Sequence, residues 1–292
     1  MSTALDRAPT LGTGLHTGIP FPEYLKLDAM GSSRLEWLAV SPMHYRYMLT
    51  QPAEESPSLS LGTALHAAVL TPEIFAKEFL LEPVDQMPLT AKPRATKVYR
   101  EAVAELEAGG FTVLRTDVME TVRAMAASVH AHPWASKVLA RCPLRELTMI
   151  WDRNGRRCRG RIDALGNDLV ADLKSTRSLA KFSPWAITDY GLHRQTAFYR
   201  EGLAAGDLHP KQRYFIAIES SAPFDCGVFV LDDAALVAGA NDVERLLLRL
   251  DECEHTNVWP GQFPNIETAT VSDRALGEAA DECDRIAAGG GS

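Results

Sequence analysis

The hydrophobic pattern of the chain changes near residue 143. Before that point, apolar residues recur at helical spacing, and serines or a Ser-Pro pair stand where two of the helices should begin. The segments with this pattern are SSRLEWL (32–38), SPMHYRYML (41–49), LGTALHAAVL (61–70), 96–108 and 116–130. We therefore predict a helical region over about 31–142.

Beyond Pro143 the pattern becomes that of strands. The runs RELTMIWD, RRCRGRIDAL and DLVADLKS are short and β-like, and NG and GND turns separate them, which is typical of an antiparallel meander. The pattern then predicts a long helix over 183–205, strands over 213–220 and 226–232, and a helix over 233–252. This order predicts an α/β fold with its sheet core over about 143–252.

The domain boundaries follow from local composition. Residues 1–30 are rich in Gly, Pro and Thr, so we expect an extended N-terminal arm. Residues 31–265 are then a single domain, and residues 266–292, which end in GGGS, form a C-terminal helix or tail.

Composition narrows the class of protein. Apolar residues make up 46% and charged residues 23%, as in a soluble globular protein, and no run is long enough to span a membrane. The N-terminus lacks a basic segment followed by an apolar one, so we expect a cytoplasmic protein. Five scattered cysteines without a CxxC pair indicate reduced thiols and no iron–sulfur cluster.

The net charge of −8 argues against nucleic-acid binding, but the distribution of charge matters more than its sum. The segment RNGRRCRGR carries five arginines: Arg153, Arg156, Arg157, Arg159 and Arg161. They form either a solvated hairpin tip or a contact surface for the DNA backbone. Ser32 and Ser33 either cap a helix or bind a terminal phosphate through backbone N–H groups.

The segment GRIDALGNDLVADLKST (160–176) carries the candidate chemistry. Side chains alternate along a strand, so Asp172 and Lys174 share a face, and the turn after Asp163 brings the two carboxylates together if the register allows. Two carboxylates suit Mg²⁺, and a nearby lysine can orient or deprotonate a water molecule. The alternative is a hairpin whose charges simply face solvent.

The pattern G-R-I-D-x(8)-D-L-K resembles the core of the PD-(D/E)XK nuclease superfamily, in its RecB-like and exonuclease VIII-like branches. Those branches also carry a Q-x-x-x-Y signature on a later helix, matched here by Gln195 and Tyr199, and a G-x-x-x-H setting on an earlier one, matched by Gly62 and His66. The resemblance implies a restriction-endonuclease-like core, with a mixed central sheet flanked by helices and an N-terminal helical region.

The resemblance also implies roles for these residues. His66, Asp163 and Asp172 would be side-chain metal ligands, and the Leu173 carbonyl would be a backbone ligand. Lys174 would position and activate water, while Gln195 and Tyr199 would support Lys174 or the DNA backbone. Glu146 is either an acid behind the ligands or a solvent-facing strand residue.

The activity that the resemblance implies is a Mg²⁺-dependent DNA exonuclease, with Mn²⁺ as a possible substitute. It would digest linear duplex DNA from 5′ ends and leave 3′ tails for a single-strand annealing protein, as a homo-oligomer in a bacterial or phage-infected cell. One alternative is a DNA-end-binding or scaffold protein without turnover. Another is a CRISPR-adaptation-type nuclease that lacks the iron–sulfur cluster.

Overall fold

A computed structural model of the chain describes residues 11–51, 57–86, 92–269, 271 and 283. In chain order, its strands are β1 (Gly14–His16), β2 (Phe79–Leu81), β3 (Thr112–Leu114), β4 (Leu144–Arg153), β5 (Arg156–Leu165), β6 (Leu169–Thr176), β7 (Gln212–Glu219) and β8 (Cys226–Val230). Six of them form one sheet in the order β1-β4-β5-β6-β7-β8, while β2 and β3 pair separately in parallel. Only β6 and β7 run parallel in the large sheet, so this sheet is mixed, as predicted.

Helices cover both faces of the large sheet. They are α1 (Phe21–Lys26), α2 (Ser32–Val40), α3 (Pro42–Met48), α4 (Pro57–Leu70), α5 (Pro72–Glu78), α6 (Lys97–Ala108), α7 (Thr116–Ala131), α8 (Pro133–Ala140), α9 (Ile187–Asp189), α10 (Leu192–Ala205) and α11 (Asp233–Thr256). Helices α4, α7 and α8 share one hydrophobic core with the sheet, and α2, α10 and α11 share another. None of the helices within the described ranges is both long and apolar enough to cross a bilayer.

The predicted helical region is confirmed in its main elements. Helix α3 follows Ser41, whose Oγ accepts a hydrogen bond from the His44 amide at 3.0 Å, and α6 ends directly before Gly109. Helix α2 begins at Ser32, but its N-cap residue is Gly31, which makes no side-chain capping bond. The capping role expected of Ser32 and Ser33 is therefore wrong.

The helix predicted over 183–205 is broken. Residues Phe182–Ala186 form a π-turn with extended backbone at Ser183 (φ −123°, ψ 129°). Helix α9 ends at Asp189, and a left-handed glycine, Gly191 (φ 61°), is the N-cap of α10. A proline at position 184 disfavours helical backbone at the residue before it, which explains the break at Ser183.

The described part of the predicted N-terminal arm belongs to the fold. Strand β1 pairs with the outer edge of β4, where Leu15 lies opposite Met149. Tyr24 of α1 and Leu27, the residue that follows the helix, are buried against Ile150. These apolar side chains stand among glycines and prolines, which hid their periodicity. Residues 1–10, and nearly all of the predicted tail, lie outside the described ranges, and the domain boundaries stay predictions.

A buried carboxylate joins the small two-stranded sheet to its neighbours. Glu82 follows β2, and its side chain is inaccessible to solvent. Its oxygens accept hydrogen bonds from Arg94 (2.8 and 2.5 Å), from the Tyr99 hydroxyl (2.8 Å), and from the amide (2.8 Å) and hydroxyl (3.1 Å) of Thr116 at the start of α7. The hydrogen bonds from Arg94, more than those of the other donors, lower the pKa of Glu82 to about 2.

We expect Glu82→Gln to destabilise the protein by about 1–3 kcal/mol near neutral pH, because it removes a charge that satisfies several buried donors. A carboxyl with a lowered folded-state pKa contributes stability above its unfolded pKa, here 4.5, and loses it as the pH falls toward 2. Urea unfolding should therefore show a difference between wild type and variant that is complete at neutral pH and shrinks in acid.

The matched control is Glu101→Gln. Glu101 is exposed and pairs with Lys97 at 3.4 Å on the surface of α6, so its loss should cost less than about 0.5 kcal/mol. Equal effects of the two substitutions would show that the Glu82 network carries no special stability.

Candidate active site

The site lies where strands β5 and β6 separate. Their ladder pairs Leu165 with Val170 and Ala164 with Ala171, and it ends there. The next residues in register would be Asp163 and Asp172, so the two carboxylates stand at the point of separation. This arrangement agrees with the register expected from the sequence.

Beyond this point the backbone of Leu173 has no partner on β5, and side chains contact its amide and carbonyl instead. The Leu173 amide donates to Asp163 Oδ2 at 2.7 Å, and His66 Nε2 lies 2.9 Å from the Leu173 carbonyl oxygen. His66 belongs to α4, which packs on one face of the sheet, so the helix delivers its imidazole into the gap. The structure thus brings His66, Asp163 and Leu173 together.

The neighbouring pair of strands is distorted at the same level. Arg145 pairs with Ala164 and Leu147 with Ile162, but Glu146 and Asp163 between them make no ladder pair. Glu146 has φ 51°, a left-handed conformation that is uncommon for a residue with a side chain. In a regular strand, the side chain of Glu146 would follow the alternation of its neighbours. The left-handed backbone instead turns its carboxylate toward the site.

Three side chains form a candidate metal group. One donor atom from each of His66, Glu146 and Asp163 lies within 4.8 Å of the others. His66 Nδ1 is 3.6 Å from Glu146 Oε1 and 3.7 Å from Asp163 Oδ1. An imidazole, two carboxylates and the adjacent Leu173 carbonyl suit a divalent cation such as Mg²⁺ or Mn²⁺, so the residues fit the metal that the resemblance implies.

Glu146 is the site residue that sequence reasoning left undecided. Its second oxygen accepts a hydrogen bond from Arg161 Nε, which orients the carboxylate. The solvent-facing alternative for Glu146 is therefore wrong. Its position opposite Asp163 in the β4–β5 register was the available signal, but the left-handed backbone that turns the side chain inward leaves no trace in the residue pattern.

The protonation states of His66, Glu146 and Asp163 depend on one another. Burial alone would lower the pKa of His66, but the carboxylates of Asp163 and Glu146 outweigh burial and raise it to about 9. Burial raises the pKa of Asp163 to about 7 despite the His66 charge. Both ring nitrogens of His66 face oxygen acceptors, and an imidazole donates from both only when it is protonated. His66 is therefore the cation of this group.

Lys174 and Asp172 form a second cluster beside the first. Lys174 Nζ lies 2.6 Å from Asp172 Oδ2, and Gln195 Nε2 donates to Asp172 Oδ1 at 3.4 Å from helix α10 on the other face of the sheet. Burial works against the Lys174 ammonium, but Asp172 and Asp163 outweigh it and raise the lysine pKa. Lys174 is thus held as an ammonium in an ion pair with Asp172.

Tyr199 lies near this cluster but bonds elsewhere. Its hydroxyl and the Ser32 Oγ are 3.2 Å apart, so the first turn of α2 is joined to α10, while Ser33 is exposed. The Tyr199 ring rests on β5 at Gly160, where a Cβ atom would come within 2.9 Å of the ring. Gly160 therefore permits the close approach of α10 that brings Gln195 to Asp172.

The five arginines of the 153–161 segment bond to groups of this chain. Their partners are Glu201 and Glu244 for Arg153, Asp251 and Glu254 for Arg156, the Leu11 carbonyl for Arg157, the carbonyls of Tyr24, Leu25 and Leu27 for Arg159, and Glu146 with the Ile19 carbonyl for Arg161. The solvated-tip interpretation is therefore wrong for the arginines, because acids of α10 and α11 and carbonyls of residues 11–27 bond to them, while Asn154 and Gly155 at the turn are exposed. A DNA contact here would have to displace these partners.

The mixed sheet between helices, with an acid–acid–lysine cluster at separating strands, defines a PD-(D/E)XK-type fold. The chain belongs to the family described as PDDEXK-like domain of unknown function (DUF3799), which matches residues 31–270. No curated protein matches the chain.

The solved structures that match this chain include the following two. A crystal structure of an exonuclease candidate from Eubacterium rectale is 13% identical, with a TM-score of 0.61, and the match covers 91% of this chain and 98% of that one. At this identity the likeness shows the fold alone. The protein SSO0001 is 15% identical over 70% of this chain and 96% of its own, but its TM-score of 0.28 supports no argument.

We expect the affinity for Mn²⁺ to rise with pH between about 7 and 9, because metal and proton compete for His66. Below a pKa of about 9, affinity should fall by up to about tenfold per pH unit while one proton is displaced. Asp163, with a pKa of about 7, is half ionised at pH 7 and almost fully ionised above pH 8, so its proton adds to the slope only near the lower end of this range. Isothermal titration with Mn²⁺ at several pH values measures the slope.

His66→Ala should weaken Mn²⁺ binding and flatten its pH dependence, whereas substitution of the exposed His209 should change neither. An unchanged pH slope in His66→Ala would show that the displaced proton belongs to another group.

Proposed function

We propose that this protein is a divalent-metal-dependent nuclease that hydrolyses phosphodiester bonds in DNA. The observation that carries the proposal is the convergence of His66, Asp163, Asp172 and Lys174 at the separated strands, with the Leu173 carbonyl among them. Membership in a PDDEXK-like family supports the same class of reaction.

Each residue has a role that its surroundings support. His66, Glu146, Asp163 and the Leu173 carbonyl would hold the metal, with Asp172 adjacent to them. A bound divalent ion supplies charge stabilisation at the phosphate and a lower pKa for a coordinated water. Lys174 donates hydrogen bonds to the attacking water or to a phosphate oxygen, and its ammonium is held in place by Asp172.

The residues of α10 support this cluster. Gln195 donates to the Asp172 oxygen that Lys174 does not contact, so it keeps the carboxylate directed toward the lysine. Tyr199 positions α10 through its contact with Ser32 and its packing on Gly160. We assign Gln195 to orienting Asp172 and Tyr199 to positioning the helix.

We further propose that the enzyme is an exonuclease acting on linear duplex DNA from 5′ ends, with Mg²⁺ as the metal and Mn²⁺ as a substitute. The 3′ tails would serve a single-strand annealing protein in phage-type recombination, and the enzyme would act as a homo-oligomer. The motifs G-R-I-D-x(8)-D-L-K and Q-x-x-x-Y support this finer assignment through their resemblance to exonuclease VIII-like proteins.

The experiment is digestion of linear duplex DNA labelled at either the 5′ or the 3′ end, with Mg²⁺ or with EDTA. Early release of the 5′ label as mononucleotides, with circular duplex untouched, is the expected result. Release of the 3′ label first would reverse the polarity, and cleavage of circles would indicate an endonuclease. Binding to DNA ends without cleavage in any metal would favour the end-binding alternative.

Asp172→Ala should abolish cleavage while the protein stays folded, because it removes the partner of Lys174 and a charge beside the metal group. The matched control is Asp168→Ala, since Asp168 lies in the turn before β6, is exposed and pairs with Arg141 at 2.8 Å. The control should retain wild-type rates. Full activity in a folded Asp172→Ala protein would exclude the proposed site.

Lys174→Ala should leave metal binding largely intact and slow single-turnover cleavage by roughly 10²–10⁴-fold, the usual range for a general acid–base group. Lys174→Arg should not restore the rate, because the larger, planar guanidinium cannot place a donor where the compact ammonium does. Substitution of the exposed Lys97 serves as a control. A wild-type rate in Lys174→Arg would show that the shape of the lysine ammonium is not required.

A further inference from the structure

Residues 177–191 connect strand β6 to helix α10. The segment begins three residues after Lys174 and ends four residues before Gln195, so both of its ends are close in sequence to the candidate active site. Within the described ranges, it forms no hydrogen bond or ion pair with either carboxylate of the metal group, and the roles proposed above leave it unused.

Two large aromatic side chains of this segment face solvent. Trp185 is 65% exposed and Tyr190 is 71% exposed, although aromatic rings gain more than most side chains from burial. Their exposure leaves both rings available to a partner.

The exposure is built into the fold. Phe182 and Ala186, on the inner side of the segment, are buried, and the Phe182 ring packs 4.9 Å from that of Phe229. The Leu179 amide donates to Glu219 Oε1 at 2.9 Å, which fastens the start of the segment to the end of β7. Trp185 and Tyr190 therefore belong to a segment that is anchored to the sheet.

The charges of the segment favour an anionic partner. Arg177 and Lys181 are exposed, and neither forms an ion pair within the ranges that the structure describes, whereas Arg153, Arg156 and Arg194 are all paired with carboxylates. The segment carries a single acid, the exposed Asp189. The segment thus combines two exposed rings with a net positive charge, in a chain whose net charge is −8.

We propose that the 177–191 segment binds a single strand of nucleic acid next to the site of cleavage. Bases stack on Trp185 and Tyr190, and Arg177 and Lys181 contact the phosphates. The occupant is a single strand because the faces of bases in a duplex are already stacked on one another. This inference rests on the proposed nuclease function, which supplies the strand.

The test measures affinity without cleavage. Anisotropy of a fluorescein-labelled dT oligomer in EDTA reports binding whether or not the protein is a nuclease. The double variant Trp185→Ala/Tyr190→Ala should bind about 5- to 150-fold more weakly for each stacked base that is lost. The matched control is Trp134→Ala/Tyr47→Ala, which removes one tryptophan and one tyrosine of similar exposure (64% and 59%) and should stay within about twofold of wild type.

Two further measurements separate the contribution of the two cations from that of Trp185. Arg177→Ala/Lys181→Ala should reduce the slope of log affinity against log salt by about 1.4, the value for two phosphate contacts on a single strand. Quenching of tryptophan fluorescence by dT should be lost in Trp185→Phe and kept in Trp134→Phe. The phenylalanine keeps the ring and the fold, so this comparison holds even if the alanine variants are unstable.

The outcomes distinguish this inference from the proposed function. If wild type cleaves DNA but the segment variants bind dT as wild type does, with unchanged quenching, the segment serves another partner, such as a protein, and the inference is overturned. If wild type binds dT through the segment but never cleaves DNA with any divalent metal, the inference stands and the proposed nuclease activity fails.

Discussion

The hydrogen bond from the Leu173 amide to the Asp163 carboxylate sets the geometry on which the site depends. Neighbouring strands normally satisfy each other's backbone groups, and a buried amide left without a partner costs about 1–3 kcal/mol. Here β5 and β6 separate, and the carboxylate replaces the lost partner at 2.7 Å. The gap is therefore stable, and the Leu173 carbonyl remains free to face His66.

The same gap concentrates charge that the protein must balance. Glu146, Asp163 and Asp172 meet at low solvent exposure, and His66 and Lys174 supply the compensating protons. A divalent ion would take over the charge that the His66 proton carries, so metal binding and proton release are linked. The acids lie on strands of the sheet. Helices on its opposite faces supply the His66 imidazole and the side-chain amide of Gln195, which orient the acids.

The parts of the fold that sequence reasoning anticipated are those with strong local signals. Helix α3 after the Ser41-Pro42 pair, α6 before a pair of glycines and the three-strand meander all follow from spacing and turn residues. The failures have local causes as well. Strand β1 has three residues, too few for a periodic pattern, and the break near Ser183 follows from a proline that also resembles a helix start.

The sequence by itself determined the motif residues, because Asp163, Asp172 and Lys174 lie on one hairpin and their spacing places them together. Tertiary structure decided the rest. The family resemblance predicted His66 as a ligand, but only the packing of α4 on the sheet brings it to the site from about a hundred residues away. Glu146 turns inward through a left-handed backbone. Arg153 and Arg156 pair with carboxylates on α11, a contact that no local pattern encodes. Long-range packing determines such pairs, because a hairpin charge that α11 covers without pairing would destabilise the fold.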